Sequence, residues 1–253
     1  MRRELSEKEI LDTVRDIRHE APGIGAYKLY LMLKELYPDG MRGRDWFYGL
    51  MHESHLMLKP GKRRHTTSSN HPYRKYKNMI KGLTVNRINQ LWVADITYID
   101  TDEGVAYLHL LTDAFTHEII GWVLSDSLVA SNTVTALEMG ISHVSPLGFD
   151  GLIHHSDRGV QYCCNQYIDR LQAIKATISM TEDYKPTDNA IAERVNGIIK
   201  QEWLYRMKRP KNLDDACRII RDIIDFYNNK RPHMSNGMKT PVQKRESYTK
   251  VAS

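Results

Sequence analysis

Asp95, Asp157 and Glu193 are the residues whose types and placement best support chemistry. Asp95 lies inside the alternating run LWVADITYID, Asp157 closes a short apolar run at HHSDRGVQY, and Glu193 opens the stretch NAIAERVNGIIKQEW. Residues 158–192, 35 in number, separate the last two. Hard divalent cations such as Mg²⁺ require oxygen ligands, and a pair of them is a common device for in-line phosphoryl transfer. Taken singly, each acid has a bland alternative: a salt bridge for Asp95, a turn or helix cap for Asp157, a solvated surface for Glu193.

Their surroundings argue against those alternatives. Strand alternation puts Asp95 on one face with Leu91, Val93, Thr97 and Ile99, where a carboxylate needs a cation or a donor. Asp157, followed by Arg158 and Gly159, falls at the C-terminal end of a predicted strand, a frequent place for ligand groups in α/β sheets. Asn189, Glu193, Asn196 and Lys200 are spaced i, i+4, i+7, i+11, which predicts one polar stripe along a helix. Ile191, Val195, Ile198, Ile199 and Trp203 form the apolar side that docks on a sheet.

Charge points to the substrate. The chain has 253 residues and a net charge of +5, but from Ser54 to Ala94 it contains no acid. Lys59, Lys62, Arg63, Arg64, Arg74, Lys75, Lys77, Lys81 and Arg87 place nine positive charges there; the other 27 of 36 basic residues are outnumbered by 31 acidic ones. Such concentration suits contact with a phosphate backbone better than general solubility. Tyr73 and Tyr76, interleaved with the charges, are placed to stack on bases or pack on the next domain.

The elements that must position the acids follow from periodicity. Residues 1–57 predict a helical module in three parts: Ile10, Leu11, Val14 and Ile17, then AYKLYLMLKEL, then Trp46, Phe47, Leu50 and Met51. Short helices with tight turns are compatible with a helix-turn-helix-like DNA-binding unit or with a plain helical cap. Residues 58–88 read as a basic linker, 89–208 as a catalytic core, and 209–253 as a C-terminal helix and tail. Within the core, LWVADITYI, VAYLHLLTDA and IIGWVLS predict an antiparallel meander, followed by a helix over 132–143, a strand LIHHS, a helix over 161–175, a strand ATISM and the long helix from Ala190. That order gives an α/β fold with a mixed five-stranded, ribonuclease-H-like sheet flanked by helices.

Several residues call for bland readings. Alternation predicts one of His154 and His155 in the core and one outward, and Asp113 is read as a turn or supporting residue. His52 and His55 stand in HxxH without nearby cysteines, and Cys163, Cys164 and Cys217 lack CxxC spacing, so neither predicts a zinc site. Arg231, Pro232 and His233 are placed to stop the helix over 213–228 and to contact DNA or the core. The charged MRRELSEKEI start carries no secretory signal, no apolar run reaches membrane-spanning length, and a cytoplasmic protein is expected.

The segments WVADITYI, HHSDRGVQY and NAIAERVNGIIK, the 35-residue spacing, Lys200 seven positions after Glu193, and the tail FYNNKRPH with Thr240 and Pro241 together resemble the DDE transposases of the insertion-sequence-three family, relatives of retroviral integrases. The resemblance runs from about Gly25 to the C-terminus; the loop EDYKPTDN departs from the more usual version. It implies a DNA transposase that cleaves element 3′ ends and transfers them to target DNA. Asp95 would bridge two Mg²⁺ ions (with Mn²⁺ able to substitute), Asp157 and Glu193 would hold one each, and Lys200 would touch phosphate. Further DNA contacts are expected from Asn189, Asn196, Arg158, Lys62, Arg63, Arg64, Arg74, Lys75 and Lys77. The implied partners are double-stranded DNA, further copies of the chain assembled on it, and an upstream-frame helix-turn-helix and leucine-zipper product, fused or in trans. A ribonuclease-H-like nuclease and a non-catalytic regulator are the alternatives.

Overall fold

The computed structural model describes residues 5–58, 72–144, 148–182 and 189–252. Its centre is a five-stranded sheet in the order β3-β2-β1-β4-β5, comprising β1 (Leu91–Thr101), β2 (Gly104–Asp113), β3 (Ile119–Ser125), β4 (Ile153–Ser156) and β5 (Thr177–Met180). The pairs β1–β2 and β2–β3 are antiparallel, whereas β1–β4 and β4–β5 are parallel. This is the mixed sheet that the strand and helix order implies.

Helices cover both faces. On one lie α4 (Ala130–Val144), α5 (Val160–Cys163) and α6 (Asn165–Ala173), packed with Trp92, Ala94, Leu111 and Tyr167. Gly121 lets α4 approach closely, because a Cβ at that position would stand 2.1 Å from the Ala136 carbonyl oxygen. On the other lie α7 (Ala190–Ile199) and α8 (Leu213–Asn229). The helix expected over 161–175 is two helices, because Cys164 is extended (φ −68°, ψ 149°) and starts a new one. The expected tail contains a further helix, α9 (Pro241–Ala252), started by Pro at its first position and a reciprocal Thr240–Gln243 cap.

The N-terminal helices α1 (Glu7–Glu20), α2 (Ala26–Leu36) and α3 (Arg44–Glu53) form where expected, and α1 starts at a Ser6–Glu9 capping box. They do not enclose a core of their own. Ile10, Leu29 and Phe47 share one continuous apolar cluster with Val195, Trp203, Ile220 and Phe226. Beyond Ile199 the chain widens into a single π-helical turn, Lys200–Leu204, and the N-terminal unit seats on it. The Trp203 indole donates to the Glu20 carbonyl at 2.8 Å. A Cβ on Gly23 would stand 2.3 Å from the Glu202 Cα, so only glycine permits this approach.

The described part of the basic segment is also docked. Lys77, Asn78 and Met79 run beside the outer strand β5: the Met180 N–H donates to the Lys77 carbonyl (3.3 Å) and the Met79 N–H to the Ser179 hydroxyl (2.8 Å). Ile80, Leu83 and Val85 pack against Leu91 and Val93. Residues 76–85 thus cover a sheet edge that would otherwise present unpaired backbone groups. Among the described residues no helix is long and apolar enough to cross a membrane.

Candidate active site

Parallel pairing of β1 with β4 sets Leu91 opposite Ile153 and Val93 opposite His155. Continued two residues further, the same register points Asp95 toward Asp157, and the two acids are near enough for Asp157 to oppose ionisation of Asp95. Asp157 stands just past the end of β4, where its Oδ1 accepts the Gly159 N–H at 2.8 Å and shapes the turn into α5. Helix α7 crosses the same face. Its Asn196 amide donates to Asp95 Oδ2 at 2.7 Å, and its N-cap Asn189 donates to the Ala94 carbonyl at 3.2 Å. Glu193 occupies the first turn of α7 and is exposed.

The electrostatics report the convergence. Burial, then the neighbouring Asp157 and more weakly Glu193, push the Asp95 carboxyl up to about 7, against stabilising hydrogen bonds from the Ile96 N–H and Asn196. Placing acids together this way is unfavourable unless a cation joins them. Among the described residues, no three His, Cys, Asp or Glu side chains stand close enough to form a ready metal cluster. Glu193, on the outer side of α7, is the acid that a cation would have to draw in.

The polar stripe proves to be divided. Asn189 and Asn196, expected to face DNA, are buried and tie α7 to β1, because the helix packs on the sheet along the line where these amides fall. Asn196 holds Asp95 and Asn189 the backbone beside it, and little of either is left to meet a nucleic acid. Lys200 is half-buried at the start of the π-helical turn; burial lowers its pKa while Asp95 and Asp100 act to raise it. The expectation that one of His154 and His155 faces outward fails. Both are buried, since β4 is an inner strand with both faces covered: His154 meets the Tyr167 hydroxyl and His155 the Ser179 hydroxyl, each at 2.8 Å. Asp113 is the supporting residue it was read to be, accepting from the N–H groups of Asn89, Phe115 and Thr116.

Of the expected cationic contacts, Arg158, Lys75 and Lys77 lie beside or near the Asp157 end of the sheet. Arg158 donates to the Glu182 carbonyl (2.9 Å), and Arg74 stacks over the Tyr76 ring at 5.0 Å. Burial and Asp157 push the Cys163 thiol up to about 11 while Lys75 and Arg158 oppose the shift, which places all three charges within electrostatic reach of Cys163. Lys75 and Lys77 are exposed. Lys62, Arg63 and Arg64 lie outside the described residues, as does most of the EDYKPTDN loop.

Sequence reasoning missed Tyr162, buried where Asp95 and Asp157 both oppose its ionisation. It also missed the buried ion pair of Glu202 with Arg231 (2.7 and 2.8 Å) and Lys28 (3.1 Å). Nothing in local spacing signals that pair, whose members come from three distant segments. Arg231 and His233, expected to contact DNA or the core, contact the core.

A mixed sheet with two neighbouring acids on its central parallel pair, crossed by a helix carrying a third, defines an integrase-type catalytic core. Comparisons with known proteins agree. The integrase core domain family matches residues 85–186, and a second integrase core domain family matches 174–241. The chain is 37% identical over 216 residues to the insertion element IS600 31 kDa protein of Shigella sonnei, covering 83% of this chain and 78% of that one. It is 30% identical to the transposase of insertion sequence element IS904 of Lactococcus lactis subsp. lactis, covering 93% of each. The simian T-cell lymphotropic virus intasome, solved with a PP2A regulatory subunit, shares the fold at 16% identity and a TM-score of 0.51, over 92% of this chain and 73% of that one. The chain belongs to the insertion-sequence transposases that carry an integrase core domain. It is accordingly a DNA transposase and a polynucleotidyl transferase of the DDE class.

Proposed function

We propose that Asp95, Asp157 and Glu193 are the catalytic carboxylates of this transposase and that they hold two divalent cations, Mg²⁺ with Mn²⁺ as a substitute. The observation that carries this reading is the convergence of Asp157, just past the end of β4, on Asp95 of β1, with burial and the second acid raising the first to about 7. Three all-oxygen donors match the preference of hard cations. When bound, such a pair supplies Lewis-acid stabilisation to the attacking and leaving oxygens of an in-line phosphoryl transfer.

The chain's own residues do the positioning. Asn196 fixes Asp95 through its amide donor, and the Gly159 N–H fixes Asp157. Arg158, held by the Glu182 carbonyl, and the exposed Lys75, Arg74 and Lys77 offer positive charge to a DNA backbone approaching the Asp157 end. Lys200 brings a point charge toward Asp95. Cleavage at the element's 3′ end and attack of that end on target DNA are the two reactions assigned to this site, carried out by several copies assembled on the DNA.

The test incubates the protein with labelled duplexes of its element ends and Mg²⁺. Cleaved and joined strands are expected from the native chain, and neither from Asp157→Asn, which retains DNA binding. Joining by Asp157→Asn, or unspecific degradation by the native chain, overturns the reading.

A further inference from the structure

A second concave feature lies on the flank of α7, one residue from Glu193. It is a cavity of about 270 Å³ between α2, α7, the end of α8 and the turn that follows. Lys28, Arg194, Arg231, His117, Tyr227 and Ser235 line it. Three cations therefore converge on one space, and Glu202 meets two of them, taking Arg231 in a bidentate pair and Lys28 through one oxygen. Burial works against ionisation of Glu202, but Arg231 and Lys28 outweigh it and hold the group below the usual carboxylate range. One negative charge against three positive ones leaves a surplus of two.

The surplus is visible in the groups themselves. Lys28 is pushed down to about 8, chiefly by burial and also by Arg231 and Arg194, against the pull of Glu202. His233 is driven to about 2 by burial and then by Arg231, His117, Lys28 and Arg194, so it adds no further charge. Tyr227 is fully buried, it lines the cavity, and its hydroxyl has no hydrogen-bond partner. Leaving a buried donor unmade is costly, and this one stands in the wall of the cavity, closed off from its solvent-accessible space. Arg194 and Ser235 are both exposed, so the cavity is reachable from solvent.

We propose that this cavity is a phosphate pocket that takes one backbone phosphate of the DNA strand presented to the carboxylate site, through Lys28 and Arg194. Arg231, immobilised by Glu202, contributes fixed positive potential from behind. The inference rests on the transposase reading for its substrate but not on the identity of the catalytic acids. It also gives the docked N-terminal helices a role: Lys28 from α2 completes a pocket whose other parts come from the core and the C-terminal segment.

The experiment measures affinity for a duplex element end across a salt series, for the native chain, Arg194→Gln and Lys28→Met. Arg218→Gln, an exposed residue paired with Asp215 on α8, serves as the control. Each pocket variant is expected to bind about 10-fold more weakly and to lower the slope of log affinity against log salt by about 1, as for the loss of one phosphate contact. A scan with single neutral methylphosphonates then locates the contact. One position should weaken the native chain by a similar factor and have no added effect on Arg194→Gln, the signature of a shared interaction. Thermal stabilisation by inorganic phosphate, measured at constant ionic strength, separates the possible sources. If free phosphate stabilises the native chain while DNA affinity is unchanged in both variants, the pocket takes small anions only and the proposal is overturned. Unchanged affinity together with no phosphate effect overturns it as well. Unfolding of one variant leaves the other and the methylphosphonate scan to decide. Because DNA binding is read without catalysis, weaker binding by Arg194→Gln together with joining by Asp157→Asn would overturn the carboxylate assignment and leave the pocket standing.

Discussion

Helix α7 separates two pockets of opposite design. Toward the sheet it closes over Asp95 and Asp157, acids brought together by strand register and oriented by an amide and a backbone N–H. On its other flank it borders Arg194 together with Lys28 and Arg231, the two cations that Glu202 holds. Both keep like charges at close quarters, which costs stability. They differ in how the charge is held. The acid site is built on two adjacent strands, so its geometry is fixed by the sheet's hydrogen bonds. The cation pocket is built from segments nearly the whole chain apart, so it exists only while the N-terminal helices stay docked. A site placed on strands tolerates loss of its outer layers better than one assembled at a junction.

The comparison is tested most severely by Asp95→Asn. Removing one charge from the acid pair should lower strand joining by on the order of 10³-fold, the scale of losing a preorganised group that stabilises reaction charge. The same change should raise the melting temperature of the metal-free protein, because a buried, repelled carboxylate is gone. A fall in both activity and stability would mean that Asp95 is paired structurally instead. At the junction, Gly23→Ala forces a Cβ into the Glu202 backbone and should cost about 3 kcal/mol in urea denaturation. Unchanged stability would show that the N-terminal unit is not held against the π-helical turn.

A smaller effect is expected from pH. In the folded chain Asp95 titrates near 7, against 3.8 as its ordinary value. The folded state therefore binds more protons than the unfolded state between these values. Stability of the metal-free protein should fall as pH rises from about 4 to about 7, by on the order of 2 kcal/mol from this group. Saturating Mg²⁺ should abolish that fall, and apparent cation affinity should weaken as pH drops below 7 because protons compete. A melting temperature in EDTA that climbs across this window would sink the assignment. Smallest is Asn196→Leu, which removes the donor to Asp95 and should weaken cation affinity about 10-fold, measured by calorimetry. No change in affinity would make Asn196 a packing residue only.

Much of the catalytic region was legible because it is written in local patterns. The period of two through Leu91–Ile99 placed Asp95 on a strand, and the polarity of Asn189–Trp203 placed Glu193 on a helix. Which way the stripe faces was not legible. Asn189, Glu193, Asn196 and Lys200 share a helical side, yet the two amides are buried against β1 while Glu193 is exposed, because the sheet passes under only part of that side. His154 and His155 misled for a related reason. Alternation assigns residues to opposite faces but does not say whether both faces are covered, and on an inner strand both are. The N-terminal helices were legible as helices, whereas their fusion with the α8 core depends on Gly23 meeting Glu202, a contact between segments far apart in sequence.

The chain by itself determined its elements, the concentration of positive charge before the core, and the three acids with their spacing, since these follow from periodicity and residue chemistry over short distances. Only the tertiary structure decided that Asp95 and Asp157 become neighbours, that two asparagines turn inward, and that Lys28, Arg194 and Arg231 face one cavity. Each of these depends on how elements pack against one another, and packing is settled by long-range burial that no local pattern encodes.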